Sequence, residues 1–256
     1  MKKWPIALQV YSVRDFAEKD VFDTFKQIKE MGYDGVELAG TYGKSVSEIK
    51  AMLDEVGLEL VSALVGLEGL EDAATLEAYA ATGMKYIAIP GMKLPENAEE
   101  LKQTVARMRN AAELCKAKGM QLSYHNHAGE FKKIDGRYML DAFYEEIPAD
   151  LLQAELDLCW VRVGGEEPCA YLKKYSGRAP VVHVKDYVDV DNGAEDVHDR
   201  SEQRPVGYGT QDVPGLLAAA EEAGTKWLVV EQDALSSMGR NSLQCSAMSV
   251  QYLKTI

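Results

Sequence analysis

The sequence contains no apolar run of about 18 residues, the length that a transmembrane helix requires. Residues 1–15, MKKWPIALQVYSVRD, also lack the long apolar segment and the small-residue cleavage site of a secretory signal peptide. From these two absences we expect a cytoplasmic protein that has no membrane partner.

Cysteine is scarce, and basic residues are outnumbered by acidic ones. The four cysteines are Cys115, Cys159, Cys169 and Cys245. Their spacing matches neither a metal site nor a redox pair, so we expect reduced thiols. The 41 acidic and 28 basic residues give a formal net charge of −13. Such a surface repels phosphate backbones and anionic lipids, so nucleic acid is not an expected partner.

The chain has no linker rich in proline or serine, and short apolar runs alternate with helical patterns along its length. The eight runs are residues 6–12, 35–40, 58–65, 85–91, 120–127, 152–161, 179–187 and 226–233. The helical patterns cover 19–31, 45–57, 98–118, 168–175, 212–224 and 241–254. This alternation predicts an α/β fold, a single (β/α)8 TIM barrel domain over 1–256. A doubly wound open sheet is the alternative, but no glycine-rich fingerprint follows the first run.

Ionisable residues interrupt these runs near their C-terminal ends, where a (β/α)8 barrel carries its active site. They are Glu37, His125, His127, Glu155, Asp157, His183, Lys185 and Glu231. Residues i and i+2 of a strand share a side, so His125 and His127 should face the same space. Imidazole and carboxylate groups from four strands suit one divalent ion, such as Mn²⁺, Zn²⁺, Co²⁺ or Mg²⁺.

Each of these residues also has a purely structural interpretation. His125 alone is more typical of a hydrogen-bonded core histidine, and Glu37 could pair with Lys185. Asp157 could cap the loop that follows it. What favours a site is that the charges interrupt five strands at the same end.

Two further features have weaker functional interpretations. Gly207 and Gly209, in PVGYGTQD (205–212), could cradle a phosphate, although a plain turn is favoured. Tyr11 and Trp160 are more typical of packing than of sugar binding. His198 lies in a polar stretch that we expect to be exposed.

Seven segments in order along the chain resemble the sugar phosphate isomerase/epimerase superfamily of xylose-isomerase-like TIM barrels, in its inosose-dehydratase-like and ketose-epimerase-like branch. They are LQVYSVRD (8–15), GYDGVELAG (32–40), SYHNHAGEF (123–131), ELDLCWV (155–161), VHVKD (182–186), VGYGTQD (206–212) and VVEQD (229–233). The resemblance implies one divalent metal ion. The ligands that it implies are Asp157, His183 and Glu231, with a fourth from the fifth strand.

The fifth strand departs from the epimerase pattern. Epimerases carry a glutamate there, whereas this chain offers YHNH and no glutamate before Glu130. We expect His125 as the fourth ligand, with His127 as the alternative. The resemblance also implies that Lys185 contacts a substrate oxygen, and Trp160 stands where epimerases carry a substrate-binding histidine.

The resemblance implies proton abstraction beside a carbonyl of a carbohydrate, through an enediolate that the metal stabilises. The expected catalytic residues are Glu231, His125, His127 and Lys185. The expected substrate contacts are Glu37, Trp160, Tyr11 and Glu130.

Isomerisation or epimerisation is the first expected outcome of this chemistry. Loss of a β-substituent, as in a dehydratase or other lyase acting on a keto-sugar, keto-glycoside or cyclitol, is the alternative. A catalytically inactive sugar-binding barrel is a further alternative. A three-metal endonuclease of the same superfamily would need more histidine and aspartate ligands than this chain has. The sequence leaves a homo-oligomer open.

Overall fold

A computed structural model describes residues 4–190 and 201–256, and His198 lies outside them. Eight strands form one parallel sheet in the order β3-β2-β1-β8-β7-β6-β5-β4. They are β1 (Ile6–Gln9), β2 (Gly35–Leu38), β3 (Glu59–Ala63), β4 (Tyr86–Ile89), β5 (Gln121–His125), β6 (Leu152–Asp157), β7 (Val181–Val184) and β8 (Trp227–Val230). A parallel bridge between Leu64 and Ala88 joins β3 to β4. The predicted (β/α)8 barrel is thereby confirmed, and the doubly wound open sheet is wrong.

Helices surround the sheet, and six of those in the described residues follow the predicted patterns closely. They are α1 (Arg14–Ala17), α2 (Val21–Met31), α3 (Val46–Val56), α4 (Leu67–Glu71), α5 (Ala73–Ala80), α6 (Ala98–Ala117), α7 (Met139–Glu146), α8 (Leu158–Val163), α9 (Pro168–Lys174), α10 (Val213–Ala223) and α11 (Ser242–Leu253). Ser45 and Glu48 form a capping box at the start of α3. The helix ends at Gly57, whose φ of 78° favours glycine.

The sixth and seventh apolar runs end earlier than the sequence predicts. Residues 158–161 form the first turns of α8, because the Asp157 carboxylate accepts hydrogen bonds from the amides of Cys159 and Trp160 and caps that helix. After β7 the chain turns into an antiparallel pair, in which Asp186–Asp189 lies beside Ser201–Arg204. We call this pair the β7 hairpin. Both changes place polar side chains at the mouth of the barrel.

The barrel has an apolar coat and a divided interior. The large hydrophobic core lies between the strands and the surrounding helices. Inside the ring, the lower part is apolar and includes Ala7, Val61, Tyr86, Val181 and Val229. Towards the C-terminal ends of the strands, buried polar and charged side chains replace these apolar groups. Within the described residues, no helix combines the length and the apolar character that a membrane crossing requires.

Candidate active site

Four side chains from neighbouring strands converge at the C-terminal end of the barrel: His125 of β5, Asp157 of β6, His183 of β7, and Glu231, which directly follows β8. Each of the four offers one nitrogen or oxygen atom, and these atoms all lie within 4.8 Å of one another. All four residues are buried. We call this group the ligand cluster.

Asp157 presents one carboxylate oxygen to the ligand cluster and uses the other to cap α8. Its Oδ1 accepts hydrogen bonds from the amides of Cys159 at 2.9 Å and Trp160 at 3.0 Å. The Asp157 amide in turn donates to the side-chain oxygen of Asn126 at 3.1 Å. The two amides of α8 therefore fix the carboxylate, Asn126 holds the Asp157 backbone, and Oδ2 remains available to the cluster.

His183 is held between two layers of carboxylates. Its Nδ1 lies 2.9 Å from Oε2 of Glu231, and its Nε2 lies 2.7 Å from Oε2 of Glu37. The same Glu37 oxygen accepts a hydrogen bond from the side-chain amide of Gln9 at 2.7 Å. Glu155 lies beside them, with Oε1 at 3.5 Å from His183 Nε2. A carboxylate behind a histidine fixes the orientation of the ring, which is a common arrangement at metal sites.

Lys185 supplies the ammonium group of the site, and this residue is almost fully buried, with 1% exposure. Its Nζ lies 3.1 Å from Oδ2 of Asp157 and 2.9 Å from Oε2 of Glu231. Asp233 is its third partner, at 3.0 Å. The structure does not contain the alternative pairing of Lys185 with Glu37, because Glu37 contacts His183 and Gln9 instead.

The protonation states of the buried groups follow from this arrangement. Burial and the repulsion of His183 hold the pKa of His125 well below its usual range, so its imidazole is neutral. Burial by itself would raise the pKa of Glu231, but Lys185 and His183 outweigh it and hold this pKa well below the ordinary value. In the lower layer, burial and the charge of Glu37 raise the pKa of Glu155 to about 8.

The side chains of the ligand cluster are suited to bind a divalent ion. His125 Nδ1 is buried, and it has no hydrogen-bond partner among the described residues. His125 is in the neutral form and Glu231 in the ionised form that bind metal ions. Burial by itself would lower the pKa of His183, but Glu37, Glu155 and Glu231 outweigh it and raise this pKa well above the usual range, so His183 has to release a proton when it binds an ion. A set of two nitrogens and two carboxylate oxygens suits borderline or hard divalent ions such as Zn²⁺ and Mn²⁺.

A cavity of about 410 Å³ opens above the ligand cluster. Its walls are Tyr11, Ala39, Leu64, Pro90, His125, His127, Glu231 and Asp233. His127 is exposed, and its ring centroid lies 5.1 Å from that of His125. The two histidines therefore line one space, as their i, i+2 spacing predicts.

The residues that the sequence suggests as substrate contacts lie in different places. Tyr11 lines the cavity, and Glu37 lies below the ligand cluster against His183. Trp160 is buried, with its ring centroid 5.9 Å from that of His127. Glu130 is buried, and it accepts hydrogen bonds from the Tyr124 hydroxyl at 2.8 Å and the His127 amide at 3.0 Å.

Sequence reasoning did not assign a role to Asp233 or Gln203. Asp233 lines the cavity and contacts Lys185, and its Oδ2 accepts a hydrogen bond from the Gln203 side chain at 2.5 Å. A period-two signal for Asp233 existed, because it follows Glu231 by two residues. Gln203 carried no such signal, since its position depends on the pairing of the β7 hairpin.

The glycine-rich loop at 205–212 binds a carboxylate of the protein itself. Asp186 Oδ2 accepts hydrogen bonds from the amides of Gly207 and Gly209, both at 2.9 Å. Its Oδ1 accepts from the amides of Tyr187 at 2.9 Å and Gln211 at 3.0 Å. Gly207 has a φ of 88°, and a Cβ at Gly209 would clash with the Asp186 carboxylate. The glycines therefore form a structural turn, and these amides are occupied by Asp186.

Comparison with known proteins agrees with this fold. A profile described as xylose isomerase-like TIM barrel matches residues 25–247. The chain belongs to the xylose isomerase-like TIM barrel family. Among the curated relatives of this chain, the inosose dehydratase of Geobacillus kaustophilus is 26% identical over 62% of this chain and 60% of its own length. Inosose dehydratase 2 of Bacillus cereus is 24% identical over 90% of this chain and 89% of its own length.

Solved structures with the same fold superpose on the whole barrel. A sugar phosphate isomerase/epimerase from Parabacteroides distasonis has a TM-score of 0.84 and 22% identity, and the match covers 98% of both chains. The 3-keto-D-glucoside 4-epimerase of E. coli has a TM-score of 0.73 and 21% identity, covering 99% of this chain and 100% of that one. At these identities the likeness shows the fold alone. The match to the family model, together with the curated inosose dehydratases, confirms the resemblance inferred from the seven sequence segments.

Proposed function

We propose that this protein is a divalent-metal-dependent lyase that removes water from a polyhydroxylated ketone, either a keto-cyclitol or a keto-sugar. The observation that carries the proposal is the buried ligand cluster below an open cavity lined by two histidines. Both curated relatives described above are named inosose dehydratases, and this supports the substrate class and the elimination reaction.

His125, Asp157, His183 and Glu231 would hold the metal ion, which when bound polarises the substrate carbonyl and makes the neighbouring C–H bond more acidic. The remaining steps fall to side chains that line the cavity or lie beside it. Because Lys185 is cationic and lies next to two cluster carboxylates, it is suited to hydrogen-bond an oxygen on which negative charge develops.

Proton transfer needs one base beside the carbonyl and one acid at the leaving hydroxyl. Glu231 borders the cavity and is ionised at neutral pH, so it is suited to take the carbon-bound proton. His127 borders the same cavity and is not part of the ligand cluster, so it is suited to protonate the departing hydroxyl. General acid–base assistance of this kind contributes about 10²–10⁴-fold to a rate.

An isomerase or epimerase is the second candidate, because it shares the first step. The observation that favours it is that histidines of β5 and Glu231 after β8 reach one cavity from strands that are not neighbours in the ring. Two proton-transfer groups on different sides of a substrate are what epimerisation requires. The E. coli structural neighbour is a 3-keto-D-glucoside 4-epimerase, which supports the same class of substrate.

The metal content of the protein tests the proposed site. Protein purified without chelators or metal-affinity columns should contain about one divalent ion per chain, measured by elemental analysis. Asp157→Ala should lose most of the ion, because its Oδ2 would be a ligand. Asp150→Ala removes an exposed carboxylate from a surface ion pair and should keep the ion. Absence of metal in the wild type, even after reconstitution, would contradict the site and favour an inactive sugar-binding barrel.

Incubation of the metal-loaded protein with an inosose or a 3-keto-sugar in D₂O separates the two reactions. A dehydratase gives an unsaturated product that absorbs in the ultraviolet. An epimerase gives a diastereomer that carries deuterium, detected by NMR. Glu231→Gln should keep part of the metal and lose both products. Normal turnover in this variant would exclude Glu231 as the base.

A further inference from the structure

Lys185 is shared between two carboxylates of the ligand cluster and one carboxylate outside it. Its Nζ contacts Asp157 and Glu231 in the cluster and lies 3.0 and 3.3 Å from the two oxygens of Asp233. Lysine side chains are rarely this deeply buried, and a buried ammonium needs such partners to offset the loss of hydration. The Lys185 ammonium therefore balances the negative charge of the two cluster carboxylates.

Lys185 contacts both carboxylates of the ligand cluster, and at Asp157 it contacts the oxygen that a metal ion would need. Asp157 Oδ1 accepts two backbone hydrogen bonds, which leaves Oδ2, and Lys185 lies 3.1 Å from Oδ2. Glu231 contacts Lys185 through Oε2, at 2.9 Å. An ammonium and a divalent ion repel each other and would compete for the same two carboxylates.

Asp233 offers the lysine a partner that does not belong to the ligand cluster. It stands at the rim of the cavity, with its side chain 33% exposed. Gln203 fixes it twice, because its side chain donates to Asp233 Oδ2 and accepts from the Asp233 amide, both at 2.5 Å. Arg14 also donates to the Asp233 carbonyl oxygen at 2.9 Å. Because Asp233 is fixed and lies outside the ligand cluster, it can hold the ammonium when the cluster carboxylates bind a divalent ion.

We propose that Lys185 is a built-in competitor of the divalent ion, which stabilises the metal-free site through Asp157 and Glu231 and is retained by Asp233 when the metal ion binds. This inference rests on the proposed metal site. It makes Lys185 and Asp233 positioning residues that set the affinity of the site in opposite directions. The exchange would also keep the ammonium beside the cavity, where the proposed reaction needs it.

The test is the Mn²⁺ affinity of metal-free protein, measured by isothermal titration calorimetry for four proteins: wild type, Lys185→Met, Asp233→Asn and the double variant. Lys185→Met should bind Mn²⁺ about tenfold or more tightly than wild type, since close buried charges couple at least this strongly. Asp233→Asn should bind Mn²⁺ about tenfold more weakly, because the displaced ammonium loses its partner. In the Lys185→Met background, Asp233→Asn should change the affinity much less.

Thermal unfolding gives a second readout that does not depend on catalysis. Metal-free Lys185→Met should unfold at a lower temperature than metal-free wild type, because two buried carboxylates lose their cation. Saturating Mn²⁺ should raise its unfolding temperature by more than it raises that of wild type. If Lys185→Met does not fold, Asp233→Asn still tests the proposal, because Asp233 lies at the rim.

The possible results separate this proposal from the proposed function. Weaker Mn²⁺ binding by Lys185→Met would mean that the lysine merely supports the site, and the competitor role would be overturned. Equal binding by wild type and Asp233→Asn would overturn the role of Asp233. Failure of all four proteins to bind Mn²⁺, Zn²⁺ or Co²⁺ would instead overturn the metal site itself, and this inference with it.

Discussion

Replacing Asp186 by asparagine should destabilise the barrel severely, although the two side chains have almost the same shape. Asp186 is 1% exposed, and each carboxylate oxygen accepts two backbone N–H groups. Whichever way the new amide is oriented, its NH₂ group faces two of these donors. Hydrogen bonds to a charged group contribute about 1.5–3 kcal/mol each, so losing two of them should cost about 3–6 kcal/mol. That is a large part of a typical stability of about 5–15 kcal/mol.

Urea denaturation followed by circular dichroism measures this loss for metal-free protein. Asp189→Asn is the matched control, because Asp189 is an exposed aspartate on the same strand of the β7 hairpin. It should change the free energy of unfolding by less than about 0.5 kcal/mol. A loss below about 1 kcal/mol for Asp186→Asn would refute the reasoning, since it would mean that the four hydrogen bonds contribute little net stability.

Two further predictions concern the histidine pair and an outer helix. His127→Ala should lower turnover more than metal content, measured by steady-state kinetics and elemental analysis, because His127 lines the cavity outside the ligand cluster. If His125→Ala has that effect instead, the two histidines exchange roles. Asp141→Asn should lower the free energy of unfolding by about 1–3 kcal/mol at neutral pH. Burial by itself would raise the pKa of Asp141, but Lys174 and two tyrosines outweigh it and lower this pKa. The carboxylate therefore stabilises the fold above about pH 4. The difference in the free energy of unfolding between wild type and Asp141→Asn should shrink as pH falls below that value through the folded-state pKa of Asp141. A difference that does not depend on pH would contradict a stabilising role of the ionised carboxylate.

The lower layer of the site explains how one barrel accommodates several buried carboxylates. Glu37 and Glu155 lie below the ligand cluster, and His183 contacts both layers. With its pKa raised to about 8, Glu155 is neutral at pH 7 and adds no charge to the interior. A protonated carboxyl is a common way for a protein to avoid the cost of a second buried charge.

The barrel, and the end at which its polar residues gather, could be predicted from the amino-acid sequence. Short apolar runs and helical hydrophobic patterns depend on local geometry, so eight strands and six of the helices could be predicted from them. The i, i+2 spacing of His125 and His127 was enough to assign them to one cavity. The helical pattern over 45–57 predicted α3, which begins after the capping box of Ser45 and Glu48.

The partner of each polar side chain could not be predicted, because it depends on how the strands and loops pack in three dimensions. Glu37 meets His183 and not Lys185, because the order and register of the strands in the ring set these distances. Glu130 is close in sequence to the cavity residues His125 and His127. Its carboxylate nevertheless contacts the Tyr124 hydroxyl and does not line the cavity. The Asp186 carboxylate occupies the glycine loop only because the β7 hairpin folds back onto it. Most of these contacts join residues far apart in the chain. No local pattern records them, because their energies depend on burial and on charges that only the closed barrel brings together.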